Sequence, residues 1–229
     1  MESFAQELID AIIDYLPRSG MHSCSLVSSR WRRRCQQRTF ARVMFWEERD
    51  VALWCMNIPQ DPGGIPGYVQ KVKFFGIDWL KPTLFGRVLE CFSKLKSLVM
   101  VDTSIPLACG TTAISSILSL PNLQELSLHD VYIGLCGVEV RGGVSAPPNG
   151  SQRRTLRLLK LHNVTTNVIT TLARYPFTFR RIRMGVPVES LSMAQLLEPS
   201  SQTLVCLELQ GVYSVVDFPI DEVVLIDSQ

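Results

Sequence analysis

Four basic side chains, Lys160, His162, Arg181 and Arg183, fall in two neighbouring copies of one short apolar pattern. Guanidinium and ammonium groups suit carboxylate or phosphate oxygens, so these four are expected to hold an acidic or phosphorylated segment of a target protein. A plain solvated surface is the competing reading. The other chemistry-bearing residues point away from catalysis. The three histidines, at 22, 129 and 162, are far apart in sequence. There is no nucleophile elbow, and Gly142-Gly143 has no following helix and lysine to make a phosphate loop. The seven cysteines (24, 35, 55, 91, 109, 136 and 206) contain no CxxC pair and no histidines at metal-ligand spacing. They are expected to be small buried side chains in a reducing compartment. No catalytic residue, metal site or cofactor is therefore expected.

The composition narrows the remaining classes. Apolar residues make up 46% of the 229, charged residues only 19%, and the net charge is +2. A chain this apolar either buries much surface or stacks repeats, and its weak net charge gives no field for nucleic acid or membrane. The basic run Arg30 to Arg34 lacks interleaved aromatics and reads as a solvated helix face rather than a nuclear signal or RNA contact. No apolar run approaches the roughly 20 residues that span a bilayer, and the N-terminal stretch has no basic lead-in of a secretory signal. A soluble protein of the cytoplasm, the nucleus or both is expected.

What positions the basic residues is a repeat. Apolar, two variable, apolar, one variable, apolar occurs as Val69-Val72-Phe74, Leu95-Leu98-Met100 and Leu123-Leu126-Leu128. It continues as Leu156-Leu159-Leu161, Phe179-Ile182-Met184 and Leu204-Leu207-Leu209. Starts are separated by 26, 28, 33, 23 and 25 residues, close to the spacing of leucine-rich repeats. The longest interval carries a Gly/Pro/Ser-rich insertion at about 134–154. Each copy predicts a short strand with its last two apolar residues inward, followed by a helical stretch: 84–95, 113–120, 168–175 and 191–197. The residues between the apolar positions then line the opposite face. An ordinary α/β sheet with helical crossovers is the alternative.

Ahead of the repeats, Ser3 to Gln6 has the form of a capping box. Leu8, Ile9, Ile12, Ile13 and Leu16 follow at helical spacing, and Pro17 and Gly20 are expected to end that helix. Met21, Cys24, Leu26 and Val27 form a second short set. Ser28 or Ser29 is placed to cap a third helix bearing Trp31 and Cys35. Three helices this short bury too little to stand alone.

The wording ELIDAIIDYLP, then CSLVSSRWRRRC, resembles the F-box of fungal F-box proteins, over residues 4 to about 45. The irregular repeats, largely without the usual asparagine, resemble the arrays attached to such modules. The resemblance implies docking on a Skp-type adaptor and, through it, a cullin complex. Carried across, the contacts are Phe4, Leu8, Ile9, Ile12 and Leu16, then Leu26, Val27 and Trp31. Phe4-Ala5 stands where the family usually opens Leu-Pro, which removes some pre-set rigidity from the first turn. The expected fold class is α/β, with a helical F-box at 1–45, a linker or capping segment at 46–68, and an irregular leucine-rich repeat solenoid at 69–229. The expected function is substrate recognition for an SCF-type (Skp–cullin–F-box) ubiquitin ligase, without catalysis on this chain. A repeat-based binding scaffold unrelated to ubiquitin is the alternative.

Overall fold

The structure is a computed structural model of the chain, described here for residues 6–58, 64–78, 80–106, 110–134, 154–164, 166–173, 177–185, 196–210 and 223–226. It is an α/β fold. Three helices, α1 (Gln6–Tyr15), α2 (Arg18–Ser25) and α3 (Ser29–Phe40), lead into a parallel sheet. The sheet strands are β1 (Arg42–Phe45), β2 (Lys71–Ile77), β3 (Ser97–Pro106), β4 (Glu125–Gly134), β6 (Leu158–His162), β8 (Arg181–Gly185), β9 (Cys206–Gln210) and β10 (Val223–Ile226), side by side in chain order. Two short strands, β5 (Arg154–Leu156) and β7 (Phe177–Phe179), pair separately just before β6 and β8. Helices α4 (Glu48–Asn57), α5 (Pro82–Glu90), α6 (Gly110–Ser119) and α7 (Thr166–Ala173) connect strands, each packed on the next.

The strands are in phase, and this follows from the apolar pattern. Val72, Leu98, Leu126, Leu159, Ile182 and Leu207 stand opposite one another across the sheet. Phe74, Met100, Leu128, Leu161, Met184 and Leu209 form a second such row, and all twelve side chains are buried. A one-residue slip would turn both rows to solvent. Phe85, Val88, Leu89, Ile114, Ile117 and Leu172 of the helices close the core on that face. The leading residue of each copy, Val69 through Leu204, is buried as well.

A backbone device repeats with the strands. The Ala41 carbonyl accepts hydrogen bonds from both Gln70 and Lys71 amides at 2.9 Å, and the Gln70 carbonyl likewise takes Lys96 and Ser97. Lys96, Gln124 and Arg180 carbonyls serve the next strands in the same way. One acceptor with two lone pairs thus satisfies two donors at the bends into β2, β3, β4, β6 and β9.

At the same register position along four strands, within β2, β3 and β4 and just after β6, lies a left-handed residue: Gly76 (φ 64°), Asp102 (φ 49°), Asp130 (φ 52°) and Asn163 (φ 47°). These are residue types that tolerate this region. The left-handed step breaks the in–out alternation, as a bulge does, so that Ile77, Thr103 and Val131 return to the buried side. The Asn163 side-chain Nδ2 donates to Asp130 Oδ1 at 2.8 Å, linking two of these steps.

Several expectations change. The sheet begins at Arg42, inside the stretch assigned to the helical module, because β1 pairs in register with β2 from Arg42↔Lys71 to Phe45↔Phe74. Phe40-Val43-Phe45 is the repeat pattern once more. The 46–68 segment is not only a linker: it holds α4 and a 3-10 turn at Ile65–Tyr68. Gly20 does not end a helix but sits within α2, after the break at Pro17. Ser3, Phe4, Trp79 and most of the expected insertion lie outside the described residues. No helix among the described residues is long and apolar enough to cross a membrane.

Candidate interaction surfaces

Helix α1 carries two apolar stripes. Ile9 and Ile13 face inward onto Met21 and Cys35, with Leu16, Cys24 and Trp31 half-buried around them. Leu8, Ile12 and Tyr15, at i, i+4 and i+7, face outward; Ile12 is 44% exposed and Tyr15 92%, against 0% for Ile13. Leu26 and Val27, in the turn after α2, are also exposed. A helix apolar on two sides has its second side available to another surface.

The cluster is held rigidly enough to present that side. Ser28 caps α3 by accepting from the Trp31 amide at 3.4 Å. Asp14 receives Arg34 through both oxygens, at 2.9 and 2.7 Å. Arg38 donates to the carbonyls of Ile13 and Leu16, where α1 ends. The run expected to be a solvated face is therefore divided: Arg30, Arg32 and Arg33 are exposed, while Arg34, with Arg38 beyond it, ties α3 to α1. At the other end of α3, Phe40 meets Trp54 edge-on at 6.4 Å, and Trp54 also packs on Phe45 and Phe92.

Of the residues expected to contact an adaptor, Leu8, Ile12, Leu26 and Val27 are exposed. Ile9 is not: it is buried in the cluster's own core, because the helix turns its i, i+4 neighbour Ile13 the same way. Leu16 and Trp31 are half-buried, and Phe4 lies outside the described residues. Tyr15 was missed, although its spacing from Leu8 and Ile12 marks it.

The second surface is the sheet face away from the helices. One row across the strands reads Phe75, Val101, His129, His162 and Gly185, with Trp46 just beyond β1. The next row reads Met44, Lys73, Val99, Ser127, Lys160, Arg183 and Glu208. Trp46 and Phe75 rings meet edge-on at 4.7 Å, and Lys73 Nζ stands 4.9 Å over the Phe75 ring. Ser127 Oγ and His129 Nε2 share a hydrogen bond of 2.9 Å, and the His129 and His162 rings are 5.8 Å apart. Burial pushes the His129 imidazole below its usual pKa, helped by His162, Lys160 and Lys73 and opposed by Asp130. Burial thus favours the neutral form of His129.

All four predicted basic residues reach this face. Lys160 and Arg183 are direct cross-strand partners, His162 stands opposite Gly185, and Arg181 stands opposite Cys206. Yet the patch is not uniformly cationic. Arg183 Nε is 2.5 Å from Glu208 Oε2, and Glu208 is mostly buried, so that guanidinium already has its carboxylate. Among the described residues, the side chains of Lys160, His162 and Arg181 on this face carry no hydrogen bond or ion pair, while His129 already shares Nε2 with Ser127. The described residues hold no group of three or more His, Cys, Asp or Glu side chains placed to share a metal ion.

Comparison with known protein families finds no match for this chain, and comparison with curated proteins finds none either.

Proposed function

We propose that the chain is a non-catalytic substrate-recognition subunit of an SCF-type ubiquitin ligase. In this reading the helical module is an F-box that docks on a Skp-type adaptor, and the sheet and its helices form an irregular leucine-rich repeat solenoid that holds a target. The observation that carries it is the uncovered outer stripe of α1, Leu8, Ile12 and Tyr15, next to Leu26 and Val27. These residues lie in the segment that resembles an F-box. Burying large apolar side chains such as these is worth roughly 1.5–3 kcal/mol each, enough for a stable complex after the cost of association. The in-phase strands, the repeated shared carbonyl and the left-handed residue at fixed register support the solenoid reading. Chemistry on this chain would be proximity alone, one end gripping the ligase and the other presenting the target.

The second reading is a repeat scaffold outside the ubiquitin system. It is favoured by the direct passage of α3 into β1, with Phe40 both the last residue of the helix and the first apolar position of a repeat copy. The helices would then be no more than a cap of the array. Co-expression with a Skp-type adaptor separates the two. The ligase reading expects the wild-type chain to co-purify with the adaptor and Ile12→Asp not to, with the circular dichroism of the two chains alike. A chain that fails to retain any Skp-type adaptor sinks it.

A further inference from the structure

The open sheet face is divided across its width. At β1–β3 it offers Met44, Trp46, Phe75, Val99 and Val101, with Met44 46% and Trp46 53% exposed. At β4 and β6 it offers His129, His162, Lys160 and the Ser127 hydroxyl. An aromatic end and an anion-accepting end thus stand on one face, held by register.

We propose that this face reads an extended peptide segment bearing a large apolar side chain about four residues from a carboxylate. The apolar side chain seats against Trp46, Phe75 and Met44; the carboxylate is met by His129, His162 and Lys160. This rests on the reading of the open face as a target-holding surface, and it is independent of what docks on the helices.

The spacing comes from the sheet. Neighbouring strands are about 4.8 Å apart, so the step from the β1–β2 aromatic pair to the β4–β6 histidine pair is roughly 14 Å. An extended peptide advances about 3.3 Å per residue, so it crosses that distance in about four residues. A segment laid across the strands meets both ends at once, and one laid along a strand meets only one.

Charge selects the class of partner. Arg42, Lys71, Lys73, Lys160, Arg181 and Arg183 on this face outnumber the carboxylates Glu125, Glu208 and, beside His129, Asp130. The choice of carboxylate over phosphate comes from Arg183. A phosphate dianion is best held by a free guanidinium fork, and here the Nε of that guanidinium is already paired with Glu208 at 2.5 Å. Arg181 is four residues, about 13 Å, along β8 from the Gly185 row that holds the histidines; what remains within that row's reach is a set of single donors, two imidazoles and one ammonium. His162 is kept in place by Gly185, whose missing side chain leaves the space its ring occupies.

The chain has three histidines, so imidazole proton signals report the site directly. The full-length protein is titrated with Gly/Ser peptides carrying one Phe and one Glu at offsets of about two, four and eight residues. The expected result is that the offset-four peptide binds at least about tenfold tighter, a difference of about 1.4 kcal/mol. It should shift His129 and His162 but not His22. Trp46→Ala and Lys160→Ala should each remove most of that preference, while Ile12→Asp should leave it intact and fail only in adaptor binding. Binding that ignores the offset, shifts all three histidines alike or is absent for every peptide overturns the proposal. So does a phosphoserine peptide without Phe that binds as tightly as the offset-four peptide.

Discussion

The imidazole of His162 lies over Gly185, in the space that any other residue would fill with its Cβ. The two are cross-strand partners, and the carbonyl of Gly185 accepts from the Asn163 amide at 3.3 Å. Gly185→Ala would drive a methyl group into Nδ1 of His162 and swing the ring away. Because that ring is exposed, the stability cost should stay below about 1 kcal/mol. The His162 proton signals should move and the peptide preference should be lost. A melting temperature and a proton spectrum on the same sample check both halves.

His129 makes stability depend on pH. Its folded pKa lies below its unfolded one because of burial and the neighbouring His162, Lys160 and Lys73. Between those two values the unfolded chain binds more protons, so stability falls as pH drops through the unfolded pKa, about 6.5. Below the folded pKa the loss is complete. His129→Gln should flatten this part of the profile, measured as the urea midpoint between about pH 5 and 8. A bound carboxylate should oppose the effect by favouring the imidazolium.

Neighbouring isoleucines in α1 should behave oppositely. Ile13 is fully buried and Ile12 is not. Ile13→Ala should cost about 2–4 kcal/mol in the helical cluster, whereas Ile12→Ala should change it by less than about 0.5 kcal/mol. Denaturant melts followed by circular dichroism distinguish them.

The left-handed residues give a second contrast. At Asp102, a valine would be forced into a region that β-branched side chains avoid, at a cost of about 1–2 kcal/mol. Asp102→Gly should stay within about 0.5 kcal/mol of wild type, since relief of strain is offset by the looser unfolded chain. Urea denaturation of the two variants measures the difference.

The strands were legible because each carries two inward residues at period two behind a third that anchors the bend. That same signal was present at Phe40-Val43-Phe45. It was overlooked because Phe40 ends a basic helix and the next copy starts only after α4 and a loop. The left-handed positions were legible too. Gly76, Asp102, Asp130 and Asn163 each fall seven residues after the leading apolar one, and all are turn-tolerant types. The sequence could show that α1 is apolar on many sides, but not which stripe the cluster keeps for itself. That choice depends on where Met21 and Cys35 come to rest. The division of the basic patch was hidden for a similar reason, because pairing Arg183 with Glu208 requires knowing that β8 and β9 are neighbours.

Amide hydrogen exchange of the chain with and without a Skp-type adaptor tests the central claim most directly. The account predicts a one-to-one complex in which protection increases at residues 6–16 and 26–31 and leaves β2, β4 and β6 unchanged. No complex, or protection that falls on the open sheet face while α1 exchanges as before, would contradict it.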